Sequence, residues 1–380
     1  MKMAYDEDQL FLQKTAREFV KAKSPVSRMR ALRDTQDPLG FSKELWKEMA
    51  ELGWLGVNLP ESFGGSNMGF ADLCILLEES GRNLMPEPFV ETVVTGAELI
   101  LQAGTQAQKE AWLSSIATGD AVIGLAYQEA RSRYNVCDVQ LQAESSGEGF
   151  VLSGEKVQVL QSTGSSVLVV TARTRGERKD QDGITLFLVD PTLEGVELRS
   201  QKRVDGLNAN IVSLSNVELG ADSVLGTVNE AMTVLAPALD KARIAMAAQM
   251  LGSAEQAFSL ALDYLKERKQ FGVAIGSFQA LQHRATKLYV ELELTRSAVM
   301  AAASCVDEAP EKVAMMASLA KAKASECFLH VANEAIQFHG GVGVTDEYDL
   351  GFYLKRARAA SQTLGDADFH RDRWAELRSY

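Results

Sequence analysis

Apolar side chains recur at three-four spacing through the first third of the chain. Leu10, Phe11, Ala16, Phe19 and Val20 share one face of a helix over residues 8–21. The same spacing predicts helices over 41–52, with Ser42 as N-cap, and over 70–81, ending near Gly81. Residues 59–66 between them (Leu-Pro-Glu-Ser-Phe-Gly-Gly-Ser) read as a loop by their proline and glycine content. Pro86 and Pro88 break the chain before a helix from about Glu91, and residues 106–118 form a further short one. Near residue 120 the period shortens. Residues 166–171, 184–189 and 211–217 are short runs rich in β-branched residues, and residues 151–157 read as a hairpin turning at Gly154. The polar stretch 173–183 reads as a solvated loop. This middle segment is an all-β unit, a barrel or a sandwich.

After about residue 226 the helical period returns over longer spans, 235–269 and 277–303. A third helix has Pro310 near its first turn and runs to about His339, where Gly340 and Gly341 stop it. Helices of roughly 25–35 residues exceed the ordinary ~11 and belong to bundles, with a face free for partner subunits. The expectation is an α+β multidomain chain: a helical N-terminal domain over 1–120, a middle β domain over 121–226, and a four-helix-bundle-type C-terminal domain over 227–380.

Charge narrows the function. The 380 residues carry a net charge of −12, which argues against a nucleic-acid or anionic-membrane surface. No apolar run approaches the ~20 residues of a membrane span. The acidic start, Met1 to Asp8, has no apolar core and reads as no signal peptide. Cys74, Cys137, Cys305 and Cys327 have no C-x-x-C spacing, and the four histidines form no metal-binding pair, so the expectation is reduced thiols, no metal, and a cytoplasmic protein.

Two segments carry candidate chemistry. Residues 264–284 join a cationic helix end, a glycine turn, and a helix start with Ser277 and Gln279. A helix N-terminus with an arginine suits a phosphate; alternatively, Lys266, Arg268 and Lys269 only complement the helix dipole. Residues 337–345 bring Gly340, Gly341 and Gly343 together, either for close backbone approach to a ligand or as a helix stop followed by a turn.

Arg268, Phe271, Gly272, Phe278 and Gln279 form an Arg-x-x-Phe-Gly element followed by Phe-Gln. Gln337, Gly340, Gly341 and Gly343 form Gln-x-x-Gly-Gly-x-Gly, and Pro60, Gly64 and Gly65 sit in Leu-Pro-Glu-x-x-Gly-Gly. With these motifs and its helix–β–helix outline the chain resembles the acyl-CoA dehydrogenase family over essentially its whole length. Residues 128–134 and 363–368 are similar to the small-subunit branch typified by pimeloyl-CoA dehydrogenase. The resemblance implies FAD as cofactor and an acyl-CoA substrate. A base removes the pro-R α-proton of the thioester, a β-hydride goes to flavin N5, and an electron-transfer flavoprotein reoxidises the flavin. It also implies a homotetramer or an α2β2 heterotetramer with FAD at subunit interfaces. Arg268, Phe271, Ile275, Phe278, Gln279, Gln337, Gly340 and Gly341 would grip the ADP end. Gln128, Asp366 and Asp368 would lie by the cofactor, and Arg131, Arg133 and Tyr134 by the substrate.

The departures from the family pattern are specific. The usual base position falls at Leu364, and the alternative one at Ala242; neither is a carboxylate. Asp366 is the nearest substitute base, or else the N-cap of a last helix over 367–377. Asp366 and Asp368 would repel a pyrophosphate unless Arg371 or Arg373 intervenes. Of the flavin-ring element, only Glu129 survives in residues 128–135, and the family's aromatic and threonine fall at Gln158 and Leu160. Arg131 and Arg133 would meet a CoA phosphate or substrate carboxylate, or else form a solvated, salt-bridged loop. Three functions follow: a dehydrogenase with its own FAD, a non-catalytic subunit completing a partner's FAD site, or an acyl-CoA-binding helical protein without redox chemistry.

Overall fold

The computed structural model describes residues 4–380, so the first three residues of the stretch read as lacking a signal peptide lie outside it. In chain order the helices are α1 (Glu7–Lys23), α2 (Val26–Thr35), α3 (Lys43–Glu51), α4 (Phe70–Arg82), α5 (Ala97–Ala103) and α6 (Gln106–Ala117). The strands β1 (Ile123–Ala126), β2 (Gln142–Ser146), β3 (Gly149–Leu160), β4 (Val167–Arg173), β5 (Ile184–Val189), β6 (Val196–Lys202), β7 (Asn208–Leu219) and β8 (Val224–Leu225) come next. They are followed by α7 (Met232–Glu267), the short strands β9 (Lys269–Gln270) and β10 (Val273–Ala274), α8 (Gln279–Glu308), α9 (Val313–His339), α10 (Leu350–Gln362) and α11 (Ala367–Leu377). The chain divides into two compact units. One gathers the chain up to Ala31, Phe70–Met85 and Arg243–Tyr380; the other holds Leu32–Gly69 and Pro86–Ala242.

The second unit is built on one eight-stranded sheet, ordered β6-β7-β3-β2-β4-β5-β8 with β1 added in parallel on β4. Alternating positions on β3, β4, β5 and β7 point inward. Leu152, Val159, Leu168, Val170, Phe187, Val189, Val212 and Leu214 meet in a single buried cluster, so the sheet folds over on itself around one core. Two register shifts interrupt the β3–β7 pairing, one between Leu152 and Gly154 and one between Lys156 and Val159. The second is where the loop after β1 docks: Val157 N–H donates to the Gln128 carbonyl at 2.8 Å.

Two readings of this segment are corrected. Gly154 (φ 145°) sits at a bulge inside the continuous strand β3, and the hairpin turns instead at Gly147 (φ 58°), between β2 and β3. Residues 173–183 are not simply a solvated loop. Arg173 is buried, and its guanidinium donates to the carbonyls of Cys137, Arg178, Asp180 and Asp182, so the loop wraps the cation. The helix expected from about Glu91 begins earlier, as a π-type turn over Phe89–Gly96.

The first unit is a packing of long helices; α7, α8 and α9 run to 36, 30 and 27 residues. In this unit Asp366 caps α11, one of the two roles its position allowed, and in the other unit Ser42 caps α3. The crossing of α4 and α7 has almost no clearance. A Cβ added to Gly81 would stand 2.1 Å from the Gln249 carbonyl oxygen, and one on Gly252 1.8 Å from that of Glu78. Beside this crossing, Arg82 and Arg296 meet buried Glu78 and Glu79 and half-buried Glu255. On α8, Tyr289, Val290 and Leu294 are exposed.

Candidate flavin site

The end of α7 turns back through the β9–β10 hairpin. Phe271 (φ 53°) and Gly272 (φ 81°) supply its two left-handed positions. The Ile275 N–H donates to the Arg268 carbonyl at 2.8 Å, and a 3-10 turn over Ile275–Ser277 leads into α8. The N-cap position of α8 is Phe278, which has no side-chain cap, and Ser277 donates to the Ala274 carbonyl instead. The first N–H groups of the helix are therefore left for a ligand or solvent. Arg268 is exposed with no ion-pair partner among the described residues, whereas Lys266 lies 3.7 Å from Asp263. The Phe271 ring, 92% exposed, meets Phe278 edge-on at 6.2 Å.

The second motif lies at the same end of the helical unit. Arg284 of α8 holds Glu334 of α9 in a bidentate pair and lies 5.3 Å over the Phe338 ring. That contact fixes the start of α8 against the end of α9. Gln337, Gly340 and Gly341 are exposed there, and a Cβ added to Gly272, Gly340 or Gly341 would meet nothing within 4 Å. A free guanidinium, apolar rings, side-chain amides on Gln279 and Gln337, and bare backbone fit the adenosine diphosphate half of a dinucleotide.

The segment matched to the flavin ring is built differently. The loop after β1 closes on itself: the Gln128 amide donates to the Arg133 carbonyl at 3.1 Å, and the Glu129 N–H to Ser132 Oγ at 3.0 Å. Arg131 and Arg133 are exposed and Tyr134 half-buried. The surviving Glu129 faces inward. Its carboxylate accepts the Gln140 and Leu141 N–H groups and the Lys156 ammonium, at 2.8 Å from Nζ. Lys156 also donates to Thr171 Oγ1. Burial pushes that lysine down to about 8 against the pull of Glu129. Glu129 is thus committed to holding the loop onto the sheet. Gln158 is exposed at the second bulge and Leu160 half-buried.

At the usual base position, Leu364 adopts φ 61° and Gly365 φ 113°. Three buried basic side chains grip this turn. Arg243 Nε donates to the Leu364 carbonyl at 3.2 Å, and His370 Nε2 lies 3.1 Å from the same oxygen. Lys321 Nζ donates to Gly365 O at 2.9 Å and to Ser325 Oγ at 3.0 Å. Burial, with Arg243 adding repulsion, pushes Lys321 down to about 7, and Asp366 opposes this. Burial with Arg243, Lys321 and Arg373 nearby likewise drives His370 far below its ordinary value. Ala242 is fully buried. Asp366 Oδ1 accepts the Phe369 N–H at 2.9 Å, which realises the capping alternative. Exposed Asp368 is met by Arg371 at 3.0 Å, while Arg373 donates to Ala314 O and Ser318 Oγ.

One signal runs through these segments. Arg133, Gln158, Phe271 and Leu364 all hold left-handed backbone that non-glycine residues rarely adopt. Sequence reading missed Lys321, His370 and Arg243. The available signal was Lys321 between Ala320 and Ala322 on the apolar stripe of α9, a charge where the pattern calls for a hydrophobe. Among the described residues no helix is long and apolar enough to cross a membrane, and no group of three or more His, Cys, Asp or Glu side chains is placed to hold a metal.

Helices, an eight-stranded sheet and a long-helix bundle with an open, glycine-bearing end outline the architecture of the flavoprotein acyl-CoA dehydrogenases. The family described as acyl-CoA dehydrogenase matches in three parts: N-terminal domain over residues 6–120, middle domain over 124–218 and C-terminal domain over 230–377. The chain belongs to the acyl-CoA dehydrogenase family, whose members are FAD-dependent flavoproteins. A probable acyl-CoA dehydrogenase of Bacillus subtilis, YngJ, is 32% identical over 337 residues, covering 87% of this chain and 88% of its own. A 3-(aryl)acrylate reductase of Clostridium sporogenes is 29% identical, covering 92% of each. Among solved structures, a Tcur3481–Tcur3483 steroid acyl-CoA dehydrogenase variant is 33% identical with TM-score 0.87, covering 98% of each chain. The fold also matches the ChsE4–ChsE5 complex of Mycobacterium tuberculosis, at 24% identity and TM-score 0.89, covering 100% of this chain and 99% of that one.

Proposed function

We propose that this chain serves FAD-dependent α,β-dehydrogenation of an acyl-CoA thioester as one subunit of a tetramer, with an electron-transfer flavoprotein taking the electrons. Bound FAD supplies the hydride acceptor. On this reading Arg268 pairs with the pyrophosphate, and Gln279, Gln337 and the Gly340–Gly341 backbone hold the adenosine end. Exposed Phe271 covers an apolar edge of the nucleotide. The likeness to the Tcur3481–Tcur3483 steroid acyl-CoA dehydrogenase, a protein named for two components, supports a heteromeric setting. The resemblance at residues 128–134 and 363–368 points to a dicarboxylic or medium-chain acyl-CoA as the substrate class.

A specific observation favours the second reading, in which this chain completes a partner's FAD site without supplying the base. The Asp366 carboxylate is engaged as the N-cap of α11, and Leu364 and Ala242 cannot take a proton. The same positions in a partner subunit would then carry the glutamate. The visible spectrum of the purified chain, with FAD quantified per chain, separates the two. About one FAD per chain when it is produced alone supports a self-sufficient flavoenzyme. A colourless chain that turns yellow only with a co-produced family member supports the shared site. A colourless chain in both preparations overturns both.

A further inference from the structure

We propose that the cavity bounded by the end of α7, the end of α9 and the loop before α10 binds a primary alkylammonium group. All of its walls lie in the helical unit, and it encloses about 290 Å3. Three rings line it. Tyr264 lies face to face with His339, centroids 4.0 Å apart and planes 22° apart. Tyr348 stands edge-on to both, 6.5 Å from Tyr264 and 5.4 Å from His339. Asp263, Glu267 and Glu347 add carboxylates. Glu267 and Glu347 have no ion-pair partner among the described residues, and Asp263 is met only by exposed Lys266 at 3.7 Å.

His339 sets the polarity of the site. It is 5% exposed, and its Nδ1 lies 2.8 Å from the Ala335 carbonyl oxygen, which can only accept. Nδ1 therefore carries the proton, and burial keeps the ring neutral by pushing its pKa down. The Nε2 lone pair has no hydrogen-bond donor among the described residues, although the ring lines the cavity. A ligand that fills the cavity displaces water from this lone pair and must replace the lost hydrogen bond, so one bearing N–H is favoured.

The alternatives fail on the same groups. An anion would face four carboxylates, of which Asp349 is paired with Arg30 at 2.8 Å, and a lone pair. A neutral apolar ligand would leave Nε2 unmatched. A metal ion would need converging ligands, and among the described residues no such set is placed. A quaternary ammonium would suit the rings but has no N–H. A primary ammonium gives charge to the carboxylates, N–H to Nε2 and a methylene stem to the rings. The site is separate from the nucleotide-gripping residues: Gln337, Gly340 and Gly341 are exposed, whereas His339 between them is turned inward.

A free amine and a lysine side chain offer the same head group, so calorimetry on the full flavin-free chain uses both n-butylammonium and Nα-acetyl-lysine methylamide. Saturable one-to-one binding is expected in the range of about 0.1–1 mM. Tetramethylammonium should bind at least about tenfold more weakly, for want of the N–H contact. n-Butanol should not bind. Glu267→Gln with Glu347→Gln, both at the chain surface, should weaken n-butylammonium at least about tenfold. Tighter binding of the capped lysine would assign the site to a polypeptide side chain, and tighter binding of the free amine to a small metabolite. No saturable heat with either amine up to about 10 mM, or equal binding by n-butanol or by the double variant, overturns the proposal. Neither result bears on FAD, so the flavin reading stands or falls separately.

Discussion

Replacing Asp366 by Asn and by Ala tests whether that carboxylate is a cap or a base. In the structure its Oδ1 accepts the Phe369 N–H at 2.9 Å, and its backbone carbonyl accepts the His370 N–H at 3.1 Å. Asn keeps an acceptor at the same place and ranks with Asp as an N-cap, so Asp366→Asn should change stability by no more than about 0.5 kcal/mol. Asp366→Ala removes the acceptor and the negative charge at the start of α11, a loss of about 1 kcal/mol. That corresponds to a Tm lower by about 1 °C for a chain of 380 residues. A general base behaves otherwise, because Asn cannot accept the α-proton and turnover should fall about 10²–10⁴-fold. The assay is acyl-CoA-dependent dye reduction by the assembled, flavin-loaded complex, beside thermal unfolding of each variant. The expected result is unchanged turnover in both variants and a lower Tm in the alanine variant alone. Turnover reduced a hundredfold in Asp366→Asn at unchanged Tm would refute the capping argument and make this chain catalytic.

Lys156→Met leaves the Glu129 carboxylate buried without its cation and should cost about 3–5 kcal/mol, read as a lower urea midpoint. Gly252→Ala drives a methyl into the Glu78 carbonyl across the α4–α7 crossing; denaturant unfolding should show a loss of about 1–3 kcal/mol. Gly341→Val meets only open space in the chain itself, so flavin-free Tm should hold, while FAD retention by the complex should fall at least about tenfold if nucleotide lies there. Lys321 titrates near 7 when folded and near its free value of 10.5 when unfolded. Between those pH values the unfolded chain holds the extra proton, so stability should rise with pH from 7 upward. Lys156, held near 8, adds to the slope only above that. Lys321→Met should flatten the rise between pH 7 and 8 in urea titrations.

Periodicity was sufficient where one physical cause dominated. The long helices follow from apolar residues at three-four spacing, and Ser42 and Asp366 mark helix starts because short polar side chains bond the next turn's N–H. It was insufficient where tertiary partners decide. Gly154 was taken for a turn, yet a bulge needs the same freedom of backbone, and the true turn lay in Ser146–Gly147. Arg173 sits among charges that read as solvated, but the loop's own carbonyls fold over it. The α10 helix escaped notice because Lys355, Arg356 and Arg358 interrupt its apolar face. The motifs at 268–279 and 337–343 were legible through their glycines and aromatics. The cluster of Lys321, Arg243 and His370 was not, because it converges on the turn from three separate helices.

The single carboxylate of Glu129 ties both ends of the loop from 130 to 139: it is anchored at the head by its own backbone and closes on the Gln140 and Leu141 amides at the tail. The ends of that segment are therefore held by one side chain and one lysine from the sheet, with buried Ser132 inside the loop bonding the Glu129 backbone. Arg131 and Arg133 are exposed between these anchors, while Ser132 between them is buried. A change at Arg131 or Arg133 therefore leaves the side-chain bonds that seat the loop in place, so the face it presents can vary while its attachment to the sheet does not.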